Sequence, residues 1–573
     1  MNIAAILSER ARELGDAPAL IDVKGGQERV VSFRELDAIT ARVAAEIAER
    51  GIGRGDGVLI LHPMAIELYV FLIALFRIGA VGMFLDPSAG RTYIDHCMKI
   101  YSPRGFLGSW KAQLLRLWTP SLRGVSPAFC TSRFPGTRLI SLDGKANGGQ
   151  AIAEVDDEAP ALITFTSGST GQPKAALRTH GFLVAQHRAL EKSLKLRPGV
   201  CDLTTLPIFV LANLASGVTS VLPDADMRAP GKIAAGPVLK QIERHAIATT
   251  AASPAFVARL ADECGRAGRR VPELKHVFMG GAPVFPGDLR QARALFRNAE
   301  ITAVYGSTEA EPMAEIHLSE IAEEDFRAME GGAGLLTGVP VSAIELRIVR
   351  EQWGRPMGHL TGVEFDALCL VANEVGEIAV SGKHVLPGYL HGVGDAETKF
   401  DVDGARWHRT GDLGWMDGRG RLWLMGRASA AICDGKGVLY PFAAECAAMQ
   451  VEGVRRAAIL QVAGRRVMAV EGAVGAAETG RDLGEIDGKR TAGPKGHVHS
   501  IALMPGLKPR PSAKARFSAT FVTEELVLKM KWAHLDEIRV LDSIPMDKRH
   551  NAKVDYGELA AALARPGGKG SWR

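Results

Sequence analysis

Nothing in this sequence builds a cysteine framework. Its seven cysteines, Cys97, Cys130, Cys201, Cys264, Cys369, Cys433 and Cys446, are odd in number and scattered, and no two are spaced Cys-x-x-Cys. That excludes a disulfide scaffold or a zinc ribbon and fits reduced thiols in a cytoplasmic protein. His497, His499 and Cys433 do not form a metal-ligand spacing either. Long apolar runs are missing too. The most apolar stretch, LYVFLIALF from Leu68 to Phe76, is flanked by Glu67 and Arg77, whereas a membrane-spanning helix needs about 20 residues. It reads as a buried helix, and the chain is expected to have no transmembrane segment. The opening MNIAAILSERARELG is too charged for a secretory leader and reads as an amphipathic helix. Charge of one sign is not in excess: 69 Lys and Arg against 64 Asp and Glu leave a formal +5 over 573 residues. The whole-chain balance therefore argues by itself for neither a nucleic acid nor a membrane, and no nucleic-acid partner is expected. No short-period repeat is visible.

What is present is an ordinary globular composition, 47% hydrophobic and 23% charged. The length corresponds to roughly three or four units of ~150 residues. Strand-like runs alternate with helical patterns: GVLILHP precedes a helix at Ala65–Arg77, ALITFT precedes GFLVAQHRALEKSL, and HVFMGGAP precedes DLRQARALF. Such alternation implies a largely parallel, helix-covered sheet. After about residue 335 the pattern changes to short strands with Gly turns (SAIELRIV, GEIAVSG, RLWLMGR), which reads as antiparallel β structure. From Ala428 a smaller α/β unit begins, with AAILQVAGRRVMAVEG as a hairpin closed by Ala-Gly. The stretches DGKRTAGPKGHVH and PGLKPRPSAKARF, rich in Gly, Pro and cations, read as solvated loops, and the tail PGGKGSWR as disordered.

One segment calls for a chemical explanation. ITFTSGSTGQPKAALRTH, from Ile163 to His180, places Thr166, Ser167, Gly168, Ser169, Thr170 and Gly171 ahead of Lys174. Read as a strand–loop–helix junction, it presents clustered backbone N–H groups, hydroxyl donors and one cation, aided by the dipole of the helix that follows. These are the parts of a polyphosphate cradle. A polar surface loop is the plain alternative for such a cluster. The pattern is not a Walker loop, because the lysine follows Pro173 and precedes Ala175.

Further motifs recur downstream: GGAP at Gly280–Pro283, YGSTE at Tyr305–Glu309, TGDLG at Thr410–Gly414, GR at Gly426–Arg427 and NAKVD around Lys553. In this order and spacing the chain resembles the adenylate-forming superfamily of acyl-CoA synthetases, luciferases and peptide-synthetase adenylation domains. The texture of TLPIFVLANLASGVTSVLPDADMR and MFLDPSAGR is similar to one branch, the β-lactone synthetases of bacterial long-chain olefin biosynthesis. The resemblance implies an α/β fold. A large N-terminal domain, 1–427, would have parallel sheets covered by helices plus a β region and would bind ATP and acid. A small mobile C-terminal α+β domain, 428–573, would carry the catalytic lysine.

The resemblance also implies roles. Thr166 to Gly171 and Lys174 would hold the β- and γ-phosphates of ATP, and Glu309 would bind Mg²⁺, a hard cation that prefers carboxylate and phosphate oxygens. Thr308 would contact the α-phosphate or the substrate carboxylate. Gly280, Gly281, Ala282, Tyr305 and Gly306 would surround the adenine, with Tyr305 stacked on it; a plain core aromatic is the competing reading of Tyr305. Asp412 would accept from the ribose hydroxyls, and Arg427 would place a charge near the ribose or phosphate. Lys553 would bridge the attacking carboxylate and the α-phosphate. Around it the family's Ser/Thr-Gly-Lys is replaced by Asn551, Ala552 and Lys553. His180 and His187, in the segment after the cradle, read as satisfied core or surface histidines.

Two departures bear on the product. The segment LPIFVLANLASG lacks the histidine that many CoA-forming relatives carry there; the resemblance then implies an acid pocket walled by Phe209 and Asn213, apolar except for Asn213 and suited to a long alkyl chain. Ser429 stands at the hinge where the family has Asp. The expected reaction is adenylation of a long-chain fatty acid, a 2-alkyl-3-hydroxy acid whose own hydroxyl then closes a β-lactone. The alternative is a long-chain fatty acid–CoA ligase with CoA as acceptor, and a remote one is a nucleotide-binding regulator without chemistry. A complex with other enzymes of the pathway is a further implication of the branch.

Overall fold

The computed structural model describes residues 1–143, 149–167, 173–472, 499–502, 519–547 and 553–564. Residues 168–172, which hold Gly168, Ser169, Thr170 and Gly171 of the hydroxyl-rich loop, lie outside the described residues. So do most of both cationic Gly/Pro stretches, residues 548–552 and the tail from 565.

Alternation of apolar strands and helices gives parallel sheets, as the sequence predicts. One sheet runs Arg138–Leu139, Ala128–Cys130, Gly105–Gly108, Gly57–Leu61, Val81–Phe84, Pro160–Ser167 and Pro173–Thr179. Its neighbours are parallel except for the last pair. A larger sheet has Pro18–Lys24, Thr219–Val221, Cys201–Thr204, Thr249–Ala252, His276–Met279 and Glu300–Ser307 in parallel. It continues antiparallel through Ala310–His317, Leu335–Pro340, Leu422–Arg427 and Ala405–Met416. The predicted switch to antiparallel β structure is thus present, and it prolongs the same sheet.

The Ile66–Arg77 helix is buried along its whole length. Its apolar residues form a core with the helices Ile3–Leu14 and Phe33–Ala48. Its two charged residues survive burial because each has a partner: Glu67 accepts from Arg29 (2.7 Å) and Lys24 (2.8 Å), and Arg77 donates to Asp37. Removing one partner of such a pair would leave an uncompensated charge.

After Arg427 the chain forms its own small sheet, Val454–Val462, Arg465–Gly472, Glu537–Leu541 and His499–Ala502. Its core draws on Ile432, Ala447, Ile459, Met468, Leu526 and Ile538. The expected hairpin is there, and Ala463 (φ 48°) and Gly464 (φ 76°) make its two-residue turn. Two left-handed residues in succession match the twist of the flanking strands.

One local expectation is corrected. The hydroxyl-rich loop does not lead into a helix. Pro173–Thr179 is a strand antiparallel to Pro160–Ser167, in the register Thr166 opposite Lys174 and Ser167 opposite Pro173. The helix begins at His180, where the Thr179 hydroxyl accepts from the Phe182 amide. A full strand, Pro173–Thr179, separates its N-terminus from Pro173, and its dipole acts only within about one turn. The alanines of PKAALRT carry no strand periodicity; burial on both faces at the sheet margin decides their conformation.

Candidate functional site

The turn Thr308–Glu309 joins Glu300–Ser307 to Ala310–His317. The Ser307 hydroxyl closes it by accepting from the amides of Glu309 (3.2 Å) and Ala310 (3.3 Å). The segment 385–389 then bridges the two large sheets: Val385 pairs with Ala310, and Tyr389 pairs with Ala176. Along it, the Leu386 amide donates to the Glu309 carbonyl (2.7 Å), and the Tyr389 hydroxyl donates to Glu309 Oε1 (2.8 Å).

Behind this turn sits a compact charged cluster. Lys399, 3% exposed, donates Nζ to the Leu386 carbonyl. Burial pushes its ammonium down to about 7, with Arg406 and Lys174 adding to the effect and Glu309 and Asp395 opposing it. His408 pairs through Nδ1 with the Thr398 carbonyl (3.1 Å); burial and then Lys399 push it down to about 3, so it is neutral. Burial alone would raise the Glu309 carboxyl, but His408 in the acid range where it is protonated, the Tyr389 hydroxyl and Lys399 outweigh it and hold it below the usual range. Lys174, 7% exposed, places Nζ 5.2 Å from the Tyr389 ring centroid. It also runs against Gly394 (φ 90°), where an added Cβ would come within 2.3 Å of Nζ. Only glycine admits both that φ and that approach.

A second cation lies on the other side of the turn. Arg178, 5% exposed, donates to Thr164 Oγ1 and to the Thr308 carbonyl, both at 2.7 Å, and its buried Nε has no partner among the described residues. Glu311 is on the strand leaving the turn, with its side chain against Gly306. Burial pushes its carboxyl up to about 7 although Arg178 and Lys553 pull it down.

The third group links three predicted residues. The Tyr305 hydroxyl donates to Asp412 Oδ2 (2.7 Å), while Arg427 Nε lies 3.2 Å from Asp412 Oδ1 and Nη1 donates to the Thr410 carbonyl (2.8 Å). Asp412 and Arg427 are direct cross-strand partners. Each carboxylate oxygen of Asp412 keeps acceptor capacity after these bonds. Strand Ala405–Met416 is pinned by Arg409, whose guanidinium meets Glu377 (Nη2 to Oε2, 2.6 Å) with both side chains 0% exposed.

Lys553 reaches this group from the C-terminal unit. There the Asp547 amide donates to the Lys553 carbonyl (2.7 Å) and the Lys553 amide donates to Asp547 Oδ1 (3.0 Å). Its side chain is exposed, yet the protein packed around it disfavours the charged form and lowers its ammonium pKa. Arg427 lowers it further, opposed by Asp412, Asp547 and Glu309. Lys553, Asp412, Arg427 and Glu309 therefore share one electrostatic neighbourhood.

Other predicted residues fall elsewhere. Gly280, Gly281 and Ala282 follow strand His276–Met279 and are half-buried; a Cβ on Gly280 would meet the Val304 carbonyl at 2.8 Å. Ser429 is exposed in the short turn Ala428–Ala430. Thr166 is half-buried at the end of its strand, and the Ser167 backbone ends it. Phe209 belongs to an apolar cluster with Leu190, Leu194 and Phe278. Asn213 was expected to border the acid, but its amide is 1% exposed and donates to Asp202, Thr204 and Ser220 at 2.9–3.0 Å. Those bonds spend the polar group inside the core. Both histidines are core residues: His187 bonds Ser216 (2.9 Å), and His180 Nδ1 accepts from the Ile3 amide (3.3 Å).

Tyr389, Lys399, His408, Arg178 and Glu311 were not expected in the site. The one signal for them is adjacency: Arg178, Glu311 and His408 each lie within four residues of a predicted motif residue. Tyr389 and Lys399 have no such marker.

The profile of the AMP-binding enzyme family matches residues 7–390. The chain is 31% identical to the olefin beta-lactone synthetase of Stenotrophomonas maltophilia over 98% of its own length and 97% of the relative's. It is likewise 31% identical to that of Xanthomonas campestris pv. campestris, over 98% of each. Among solved structures, ATP-bound MatB from Rhodopseudomonas palustris superposes with a TM-score of 0.72 at 20% identity, over 98% of this chain and 99% of that one.

Proposed function

This chain belongs to the AMP-binding enzymes, and from that premise we propose that it adenylates a long-chain 3-hydroxy acid with ATP and closes the acyl-adenylate into a β-lactone. Full-length similarity to two olefin beta-lactone synthetases carries the choice of product. The residues then divide the work. Substrate carboxylate oxygen attacks the α-phosphorus of ATP and pyrophosphate leaves. Both partners are anions, so catalysis consists of positioning them in line and offsetting charge. Lys553 bridges the attacking oxygen and the α-phosphate, and Arg427 sets a fixed positive charge beside it. Asp412 accepts from the ribose hydroxyls with its remaining lone pairs. Because its hydroxyl is committed to Asp412, Tyr305 offers the adenine its ring. Thr308 contacts the α-phosphate or the acid, with Arg178 fixing the turn through the Thr308 carbonyl.

Glu309 fits a divalent cation: it is a hard oxygen donor on a rigid turn, held ionised by its neighbours. When bound there, Mg²⁺ would neutralise charge on the phosphates. Thr166 and Lys174 flank the phosphate tail, joined by Ser167, Gly168, Ser169, Thr170 and Gly171. In the second step the substrate's 3-hydroxyl oxygen attacks the acyl carbonyl, the bond to AMP breaks, and the hydroxyl proton is lost to solvent. Intramolecular alignment offsets about 7–11 kcal/mol of the barrier, against the strain of a four-membered ring. The division at 427/428, with Ser429 as hinge, lets the small unit present Lys553 for the first step. The reading also sets the enzyme in the cytoplasm, beside enzymes that supply the hydroxy acid and consume the lactone.

The test is product identification with ATP, Mg²⁺ and a 2-alkyl-3-hydroxy acid, with and without CoA. Lactone and AMP formed without a thiol are expected. Strict dependence on CoA would replace this reading with that of an acyl-CoA ligase.

A further inference from the structure

The helix Trp110–Trp118 is turned inside out. Its buried residues include Gln113 at 0% and Arg116 at 7% exposure, whereas Trp110, Leu114, Leu117 and Trp118 are 50%, 39%, 39% and 78% exposed. The inward orientation is fixed by polar bonds. Gln113 donates to the Phe129 carbonyl (2.8 Å), and Arg116 donates to Gln113 Oε1 (2.9 Å) and to the Val125 carbonyl (3.4 Å). Ser109 caps the helix by accepting from the Ala112 amide. The four apolar residues fall within an arc of about 100° at 3.6 residues per turn. An apolar stripe aimed at water by a deliberately satisfied polar back is not a packing accident of a single side chain.

The segment of chain that carries the stripe has charge of one sign, although one of its cations, Arg104, pairs with Asp56 from outside it (3.1 Å). From residue 96 to residue 142 the sequence has no Asp or Glu, and it has seven cations: Lys99, Arg104, Lys111, Arg116, Arg123, Arg133 and Arg138. All of them except Arg116 are exposed. Lys111 stands over the Trp110 ring (5.5 Å to the centroid), and Arg123 bonds the Leu117 carbonyl (3.0 Å), so cations flank both ends of the stripe. The carboxylate of neighbouring Asp95 is engaged by Ser121 and Arg91. No helix among the described residues is long and apolar enough to cross a membrane, and this one is only 9 residues long.

We propose that the Trp110–Trp118 face docks the enzyme on an anionic lipid bilayer as a peripheral anchor. The two tryptophans and two leucines enter the headgroup–acyl boundary, and Lys111 and Arg123 meet lipid phosphates. A protein groove would need only the apolar stripe; the cations at both ends of it, Lys111 and Arg123, are complementary to an extended negative surface. This assignment uses none of the residues placed in the catalytic cleft and stands whether or not the lactone reading holds.

The test is co-sedimentation of the full chain with vesicles of phosphatidylcholine alone and of phosphatidylcholine with phosphatidylglycerol. Pelleting with the anionic vesicles only, falling as salt is raised, is expected. A variant carrying Trp110→Ser, Leu114→Ser, Leu117→Ser and Trp118→Ser should lose at least about tenfold in partitioning. Lys111→Ser with Arg123→Ser should lose several-fold, most clearly at low salt. Far-UV circular dichroism and the thermal midpoint of both variants should match the parent, since the changed side chains are exposed. Failure of the parent to pellet with anionic vesicles would overturn the proposal. So would equal pelleting of parent and apolar-face variant, or self-association through this face without vesicle binding.

Discussion

The wall of the cleft and the lysine that faces it are anchored in opposite ways. On the wall, Glu309, Tyr389, Lys399 and His408 come from a turn, a bridging segment and two strands, and each has a hydrogen-bond partner within the large N-terminal region. The strand behind them is pinned by the fully buried Arg409–Glu377 pair. Lys553 instead belongs to the C-terminal unit, and its attachment is indirect. The helix that follows it, Tyr556–Leu563, is tied down by the Tyr556 hydroxyl on Glu445, a residue 2% exposed whose carboxyl burial pushes up to about 8. Under the function proposed above, the contrast would separate two tasks: charge that waits for an anion would be held in a fixed frame, where nothing reorganises when the anion arrives, and charge needed during one step would sit on an element that can be presented and withdrawn.

Substitutions can break this contrast from either side. The largest effect is expected on the wall. Glu377→Ala leaves Arg409 buried without its partner and should cost about 3–5 kcal/mol of stability, read by denaturant unfolding. A loss under about 1 kcal/mol would mean the wall is not held there. On the other side, Lys553→Ala should lower acid-dependent pyrophosphate–ATP exchange by on the order of 10²–10³ while leaving stability unchanged, as expected for one preorganised donor. Should exchange persist at the parent rate, Lys553 has no part in adenylation.

Smaller changes sharpen the distinction. Tyr556→Phe removes the bond to buried Glu445 and should weaken the C-terminal unit by about 1–3 kcal/mol. Amide hydrogen exchange would then quicken in Glu537–Leu541 and Tyr556–Leu563 and stay unchanged in Ala405–Met416. A pH-dependent effect concerns Glu311, whose carboxyl burial pushes up to about 7 in the fold against 4.5 ordinarily. Between those values the unfolded chain has released a proton that the folded chain retains, so stability falls as pH rises from 4.5 through 7 and is level above. Glu311→Gln should flatten that segment of the thermal midpoint–pH curve; an unchanged slope would remove Glu311 as its cause.

Expectation and structure agree where burial and pattern coincide. The Ile66–Arg77 helix and the Ala463–Gly464 hairpin were legible because a continuous apolar run and a two-residue turn signal leave few alternatives. Agreement fails where a segment's own preferences are weak. PKAALRT has the composition of a helix and becomes a strand because the sheet margin needs it. Asn213 has the look of a pocket residue, yet its amide is consumed by Asp202, Thr204 and Ser220, which lie apart in sequence. The Trp110–Trp118 stripe could be counted from the sequence at helical spacing, but a stripe of that kind is ordinarily the buried face, and its outward direction follows only from where Gln113 and Arg116 find partners.

Local chemistry, then, was decided by the sequence itself: which carboxylates, cations and glycines exist, in what order, and that alternating strands and helices must stack into covered sheets. Those properties depend on residues near one another along the chain. Tertiary structure alone decided that Tyr389 and Lys399 stand behind Glu309, that Tyr305 spends its hydroxyl on Asp412, and that Lys553 shares their field. Electrostatic free energy depends on separation and burial in space, and neither can be read from distance along the chain.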